Sequence, residues 1–214
     1  KASDWLPSGD CSFEGTIPWM ISEQHTREAP PGELFTYNSS STDLLAYILE
    51  QVFDKSISLL LENLFQRCGT EHNAEIGLDR GDFPIASGAA SLTLRDFARS
   101  AYLMLGRGTN IAGDRVLDAE VFDATLRDCP KARAAFAKAK EAAVFPVGQY
   151  RNQFWVIDAE AQIYTMLGIH GQFSYADLQN DLLITGFGSY PQAANGPLFA
   201  HVLTLFSTVT EAIT

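Results

Sequence analysis

Residues 149–189, QYRNQFWVIDAEAQIYTMLGIHGQFSYADLQNDLLITGFGS, decide the fold class of this chain. The stretch contains four short runs rich in aromatic and β-branched residues, separated by turn-forming residues: QYRNQFWVID, AQIYTMLGI, GQFSYAD and DLLITGFGS. Runs of this kind are typical of β-strands, and short turns join neighbouring strands in antiparallel order. The last run is almost wholly apolar, as in a strand covered on both faces. The stretch therefore predicts an antiparallel meander of three or four strands.

Helices precede and follow this meander. Apolar residues at helical spacing predict helices at about 42–53, 56–67, 94–105, 118–128 and 131–143, with a short one near Trp19 to Ser22. A closing helix should place one side against the sheet, formed by Leu198, Val202, Leu205, Phe206, Val209 and Ile213. The layout is α+β, with a mainly helical part at 1–146 and the sheet and closing helix at 147–214. The second face of the sheet needs cover from the helical part or from further chain.

The stretch GELFTYNSSSTDLLAYILEQVF, residues 32–53, places polar residues directly before a helix. Ser40, Ser41 or Thr42 is expected to cap that helix, because hydroxyl oxygens accept bonds from its first amides. Asp43 suits the positive end of the helix dipole. Capping leaves Tyr37 unexplained. The helix is predicted to bury the face formed by Leu44, Leu45, Ile48, Leu49, Val52 and Phe53.

Composition excludes several classes of function. The net charge is −11, and no cluster of basic residues occurs, which argues against binding to nucleic acid or to an anionic membrane. No apolar stretch reaches membrane-spanning length. The three cysteines and four histidines are scattered, without a CxxC pair or an HExxH pattern. The cysteines are therefore expected to be free thiols, and we expect no metal site and no cofactor.

Three stretches, in this order along the chain, resemble the serine β-lactamase and penicillin-binding-protein superfamily. PPGELFTYNSSSTDLLAYILEQV is similar to its tyrosine motif with the supporting helix. IASGAASLTLRDFARSAYLMLGRG is similar to a segment of its esterase-like branch. GIHGQFSYADLQNDLLITGFGSYP resembles the strand that holds its third motif. Together they look most like 6-aminohexanoate-dimer hydrolases and related carboxylesterases. The resemblance implies a β-lactamase-like fold, with a helical subdomain, an antiparallel sheet and a C-terminal helix.

That family carries its nucleophile in a Ser-x-x-Lys helix upstream of the tyrosine motif, but no serine of this chain has lysine three positions later. We therefore expect residues 1–214 to form a single, incomplete domain whose N-terminal part is missing. Its implied partner is an N-terminal segment of the same protein that carries Ser-x-x-Lys. A relative that has lost its catalytic helix is the other explanation.

The resemblance assigns roles to individual residues. Tyr37 matches the tyrosine that passes a proton to the leaving group, a role that a nearby ammonium supports; the alternative is a tyrosine that packs under the helix. Ser39 holds the third position of that motif, with a plain turn serine as the alternative. The β-lactamase Lys-Thr-Gly motif is absent, and MLGIHG stands in its place. Gly168 then takes the glycine position, and Ile169 supplies an oxyanion N–H.

Three further residues are candidate substrate contacts. His170 either lines the pocket or packs below the sheet. Trp155 forms a pocket wall for an aliphatic acyl chain or is a core tryptophan. Asp4 is placed by approximate spacing where nylon-oligomer hydrolases carry an acidic residue that meets a charged substrate terminus.

The implied function is a serine hydrolase of esterase or amidase type, acting through an acyl-enzyme on a small-molecule ester or amide. The absence of the Lys-Thr-Gly lysine argues against β-lactams as substrates. A catalytically inactive β-lactamase-like binding or interaction module is the alternative, and coincidental matches in an unrelated α+β fold are a third possibility. We expect a soluble protein of the bacterial cytoplasm or periplasm.

Overall fold

The computed structural model describes residues 15–22, 27–193 and 196–213. The α-helices in these ranges are α1 (Thr16–Ser22), α2 (Ser40–Phe53), α3 (Ile57–Cys68), α4 (Leu94–Leu105), α5 (Ala119–Leu126), α6 (Pro130–Phe136) and α7 (Gly196–Ile213). The strands are β1 (Glu75–Ile76), β2 (Ala90–Ser91), β3 (Gln149–Arg151), β4 (Phe154–Asp158), β5 (Ile163–Leu167), β6 (Phe173–Asp177) and β7 (Leu182–Gly186).

The chain divides into two compact units. The first comprises Lys1–Glu28, Tyr37–Gln66 and His72–Leu92, and the second comprises Ala29–Thr36, Arg67–Glu71 and Thr93–Thr214. In the part of the chain that the structure describes, no helix combines the length and apolarity needed to cross a membrane. That the chain forms one incomplete domain stays a prediction.

Helix α2 of the first unit begins earlier than the sequence predicted. Ser40 is its first residue, so Ser40, Ser41 and Thr42 all lie inside the helix and the prediction that one of them caps it is wrong. Ser39 holds the cap position without a side-chain cap bond, and the Asn38 side-chain oxygen accepts the Ser40 N–H at 3.0 Å. Asn38 therefore supplies the hydrogen-bond acceptor just before the helix, as in an Asx-turn.

The predicted buried face of α2 is also wrong. Its apolar side chains are 40% to 69% exposed, namely Leu44, Leu45, Ile48, Leu49, Val52 and Phe53. Asp43 and Ala46 are buried instead, and α1 contacts α2. Polar anchors explain this orientation. Asp43 accepts hydrogen bonds from the Ser87 N–H at 2.9 Å and hydroxyl at 2.7 Å, and Glu50 accepts the Ile57 N–H at 2.8 Å. Asp43, Ala46 and Glu50 share one side of the helix.

The second unit contains the predicted meander, with one strand more than expected. Strands β3 to β7 pair antiparallel in chain order. The first predicted run is a hairpin rather than one strand, because Asn152 and Gln153 adopt φ values of 49° and 68° and reverse the chain. A two-residue turn with both φ values positive matches the twist of the strands that it joins.

Helices cover both faces of this sheet. Alternate residues of a strand point to opposite faces. Phe173 and Tyr175 of β6 pack against Phe206 of α7, at ring-centroid distances of 5.0 and 4.8 Å. Between them, Ser174 faces α4 and donates its hydroxyl to the Met104 sulfur at 3.6 Å. The helical part of the chain therefore supplies the cover that the second face of the sheet requires.

Two predicted helices differ in detail from the structure. Helix α6 ends at Phe136, and a single 3₁₀ turn covers Lys140–Ala143, so the predicted helix over 131–143 is too long. Helix α7 lies where predicted, but Leu198 and Leu205 are exposed whereas Phe206 is buried. Phe199 and Leu203 pack against the aromatic core, so the buried stripe is rotated slightly from the predicted one. Residues 199, 203 and 206 follow helical spacing equally well.

Candidate active site

The turn that joins β5 to β6 carries Gly168, Ile169 and His170. Leu167 pairs with Phe173, which leaves residues 168–172 as the connection, and the Gly168 N–H donates to the Gln172 carbonyl at 2.8 Å across it. His170 has φ 61° and ψ 15°, in the left-handed region that non-glycine residues rarely adopt. The structure thus brings the three predicted residues together in one tight turn.

Two glycines are required in this turn for different reasons. A Cβ on Gly168 would lie 2.9 Å from the Cβ of Gln172, closer than side-chain carbons approach. Gly171 has φ 97°, and a Cβ there would lie 2.7 Å from the ring of Tyr190. The sequence suggested that Gly168 makes room for a substrate carbonyl. In the structure, Gln172 occupies the neighbouring space.

A second segment, residues 188–193 after β7, lies against the turn. The His170 N–H donates to the Ala193 carbonyl at 3.0 Å, and the His170 carbonyl accepts the Tyr190 N–H at 2.9 Å. The His170 ring nitrogen Nδ1 lies 2.7 Å from the Tyr190 carbonyl oxygen. These contacts hold His170 through its backbone and its side chain.

The Ile169 N–H differs from its neighbours. Within the described ranges it makes no hydrogen bond, whereas the N–H groups of Gly168 and His170 on either side are both paired. The Ile169 side chain is 64% exposed. The turn therefore presents one unused backbone donor, which is the property that an oxyanion-binding group requires.

Tyr37 and Ser39 belong to the first unit, at the start of α2. The Tyr37 side chain is 46% exposed, and Ser39 is half-buried. The Ser39 carbonyl accepts the Thr42 N–H at 2.9 Å. Asp4 lies outside the described residues. The structure thus groups Tyr37 with Ser39 in the first unit, and Gly168, Ile169, His170 and Trp155 in the second.

Trp155 lies in an aromatic core of the second unit. It is 9% exposed, and its ring centroid is 4.8 Å from that of Tyr150 and 6.0 Å from that of Phe145. Phe35 and Phe136 complete the cluster. This is the packing role that the sequence left open, and a role for Trp155 as a pocket wall stays a prediction.

Two carboxyl groups of the first unit have opposite pKa shifts. Burial raises the pKa of Asp43, and the hydrogen bonds from Ser87 only partly offset this. For Asp79, burial also acts to raise the pKa, but hydrogen bonds from Thr16, Phe83 and Gly81 outweigh it and lower the pKa. The N–H groups of these three residues lie 2.6, 2.9 and 2.8 Å from the Asp79 carboxylate. Asp79 is thus held in its charged form.

Sequence reasoning missed Tyr190, Gln172 and the Asp43–Ser87 pair. The signal for Tyr190 was its position in GFGSYP, an aromatic residue among turn residues directly after a strand, where site-forming loops occur. Among the described residues, no group of three or more histidine, cysteine, aspartate or glutamate side chains is placed to hold a metal ion. Cys68 and Cys129 are free thiols.

Comparisons with known proteins relate the sequence and the fold of this chain to proteins named as hydrolases or β-lactamases. No model of a protein family matches the chain. The chain is 32% identical over 158 residues to 6-aminohexanoate-dimer hydrolase of Paenarthrobacter ureafaciens, which covers 73% of this chain and 40% of the relative. A provisionally named 6-aminohexanoate-dimer hydrolase of Bacillus anthracis, a solved structure, matches with a TM-score of 0.78 and 25% identity, over 93% of this chain and 49% of that one.

A provisionally named β-lactamase of Bacteroides dorei matches in fold, with a TM-score of 0.62 and 16% identity, over 89% of this chain and 62% of that one. The chain therefore spans between 40% and 62% of the length of these relatives. The predicted fold class is confirmed, and coincidental matches in an unrelated fold are excluded. The chain therefore has a β-lactamase-like fold, and proteins named 6-aminohexanoate-dimer hydrolases are among those that it is similar to in sequence and structure.

Proposed function

We propose that the full-length protein is a serine hydrolase of esterase or amidase type that acts through an acyl-enzyme. The observation that carries this proposal is the Ile169 N–H, which has no hydrogen-bond partner among the described residues and lies between two paired N–H groups in a tight turn. An acyl-transfer site needs such a donor because negative charge develops on the carbonyl oxygen in the transition state. The similarity to 6-aminohexanoate-dimer hydrolases supports the same reaction class.

The proposed nucleophile is a serine of a Ser-x-x-Lys segment encoded upstream of residue 1. Its oxygen attacks the substrate carbonyl carbon, and its proton passes to the lysine. Tyr37 delivers a proton to the leaving amine or alcohol and regains one from the protonated lysine, and Ser39 supports the lysine or the substrate by hydrogen bonding. Water then attacks the acyl-enzyme, which releases the acid and restores the serine. The Ile169 N–H stabilises the oxyanion in both steps, with Gly168 at the glycine position of the motif.

The proposed substrate is a small-molecule ester or amide. Asp4, His170 and Trp155 are the predicted substrate contacts, with Asp4 meeting a charged terminus. The name of the Paenarthrobacter relative suggests one amide to test, the dimer of 6-aminohexanoate. A p-nitrophenyl ester of a short fatty acid tests esterase chemistry with a spectroscopic readout.

The test uses the full-length protein. A fluorophosphonate probe should label one serine, which peptide mass spectrometry should locate upstream of residue 1 in a Ser-x-x-Lys sequence. Tyr37→Phe should lower kcat by about 100-fold or more, because the variant loses the proton donor. Tyr47→Phe is the matched control, since Tyr47 lies on α2 and packs its ring on Phe83 at 6.4 Å. It should retain kcat within about threefold.

A full-length protein that neither reacts with the probe nor hydrolyses either substrate would contradict the proposal. It would favour the alternative of an inactive binding module, whose specific support is that none of the serines in these 214 residues has lysine three positions later.

A further inference from the structure

His170 makes three hydrogen bonds to the segment after β7, two through its backbone and one through its ring. A carbonyl oxygen only accepts hydrogen bonds, so the Nδ1 atom that lies 2.7 Å from the Tyr190 carbonyl must carry a hydrogen. The ring is therefore a donor to the backbone in either protonation state. The ring therefore links the β5–β6 turn to residues 188–193 by a hydrogen bond.

The conformation of His170 requires this support. A non-glycine residue in the left-handed region is strained and is retained where its surroundings fix it. Two backbone hydrogen bonds fix the chain at this point. The Gly168 N–H donates to the Gln172 carbonyl, and the His170 N–H donates to the Ala193 carbonyl. The Tyr190 ring also covers Gly171 so closely that no Cβ fits between them.

These contacts set the direction of the Ile169 N–H. The peptide group is planar, so the bonded Gly168 and His170 amides on either side leave the Ile169 peptide little freedom to rotate. We propose that His170 is a positioning residue, which holds the β5–β6 turn against Tyr190 so that the Ile169 N–H stays unpaired and aimed at the reacting oxyanion. This rests on the proposed function, and it gives His170 a different role from the substrate contact that the sequence suggested.

Three variants of the full-length protein test this role with the p-nitrophenyl ester. His170→Gly keeps the left-handed backbone accessible but removes the ring donor. We expect kcat to fall by about 10- to 100-fold and KM to stay within about twofold of the parent value. The reason is that the lost interaction stabilises the transition state and not the bound substrate. His170→Asn should rescue kcat to within about threefold, because asparagine tolerates the left-handed region and its amide is a donor.

Gln162→Gly is the matched control. Gln162 precedes β5 at its other end, is exposed, and has φ 57°, so its replacement tests the same backbone change away from the turn. We expect its kcat within about twofold of the parent protein. Thermal unfolding of each variant separates a loss of folded protein from a loss of rate.

Nuclear magnetic resonance supplies a readout that needs no activity. The ¹⁵N shifts of the His170 ring should show hydrogen on Nδ1, and the exchange of the His170 amide should be faster in a folded His170→Gly variant. An active parent protein in which folded His170→Gly keeps kcat within twofold overturns the positioning role. So does a folded His170→Asn variant as slow as His170→Gly, or a ring that carries its hydrogen on Nε2 alone. A parent protein that is inactive and unlabelled overturns the proposed function itself.

Discussion

Helices α2 and α7 have similar apolar patterns but opposite surroundings. In α7, Phe206 is 2% exposed and packs its ring on Phe173 and Tyr175 of the sheet. In α2, the side chains that carry the apolar pattern are at least 40% exposed, including Ile48 at 46%. The buried positions of α2 are instead set by Asp43 and Glu50, which accept hydrogen bonds from Ser87 and Ile57.

The difference shows that helical periodicity identifies a row of apolar side chains on one side of a helix but does not indicate whether that side is buried. In the second unit, hydrophobic burial and helix orientation agree, because α7 lies on a sheet with matching aromatic residues. In the first unit, buried polar anchors decide the orientation, since an unpaired buried carboxylate costs more than an exposed leucine. The two helices should therefore respond differently to the loss of apolar side chains.

Phe206→Ala should give the largest effect. It removes a buried ring that contacts two aromatic residues, so we expect the free energy of unfolding to fall by about 3–5 kcal/mol in urea titrations of the full-length protein. Leu205→Ala on the same helix is the control, because Leu205 is 58% exposed, and it should cost less than about 0.5 kcal/mol. Equal effects of the two changes would show that α7 is rotated from this arrangement.

Tyr164→Phe should give an intermediate effect in the second unit. The Tyr164 hydroxyl donates to the Met104 carbonyl at 2.6 Å, and burial raises the pKa of this phenol well above its usual range. Removing the hydroxyl leaves a buried carbonyl without that donor, at a cost of about 1–2 kcal/mol in urea unfolding. Tyr150→Phe, at a partly exposed ring of the aromatic core, should cost less. The reverse order would argue that the α4–sheet contact contributes little.

Asp79→Asn tests whether polar anchors hold the first unit. Because the pKa of Asp79 is lowered in the folded protein, its stabilisation is complete above the unfolded-state value near 3.9 and is lost as pH falls through the lowered pKa. The variant should lose about 1 kcal/mol at neutral pH, and its stability should fall less than that of the parent protein as the pH is lowered below about 4. Asp82→Asn, at an exposed neighbour, is the control in thermal unfolding across this range. Parallel pH curves for Asp79→Asn and the parent would contradict the assignment.

Ile48→Ala should give the smallest effect. Its side chain is 46% exposed, so truncation should change the free energy of unfolding by less than about 0.5 kcal/mol. A loss comparable to that of Phe206→Ala in the same urea titration would mean that the α2 face is covered in solution.

The sheet was predictable because its signal is local. Each strand of the meander has its own aromatic and β-branched run, and the runs are short enough to pair through tight turns. Only the hairpin between Arg151 and Phe154 was not predicted, because Asn152 and Gln153 reverse the chain without the glycine or proline that usually marks a turn. Thr93 caps α4, because its side chain accepts the Asp96 N–H, and a threonine three residues before an acidic residue is a local sequence signal of such a cap.

The contacts of the β5–β6 turn could be predicted only where the residues are neighbours in sequence. Gly168, Ile169 and His170 are consecutive, so one motif indicated all three. The bond between His170 and Tyr190 joins residues 20 positions apart, and no periodicity encodes it. The face of α2 was mispredicted for the same reason, because Ser87 is 44 positions from Asp43.

The pairing of Leu167 with Phe173 restricts how the β5–β6 turn can change over evolution. A one-residue shift in the register of β6 would exchange its two sides. Phe173 and Tyr175 would then leave α7, and Ser174 would take their place. A change in this turn that shifted the register would therefore disturb the core of the second unit. The Ile169 side chain is exposed, so its replacement would leave both this register and the core unchanged.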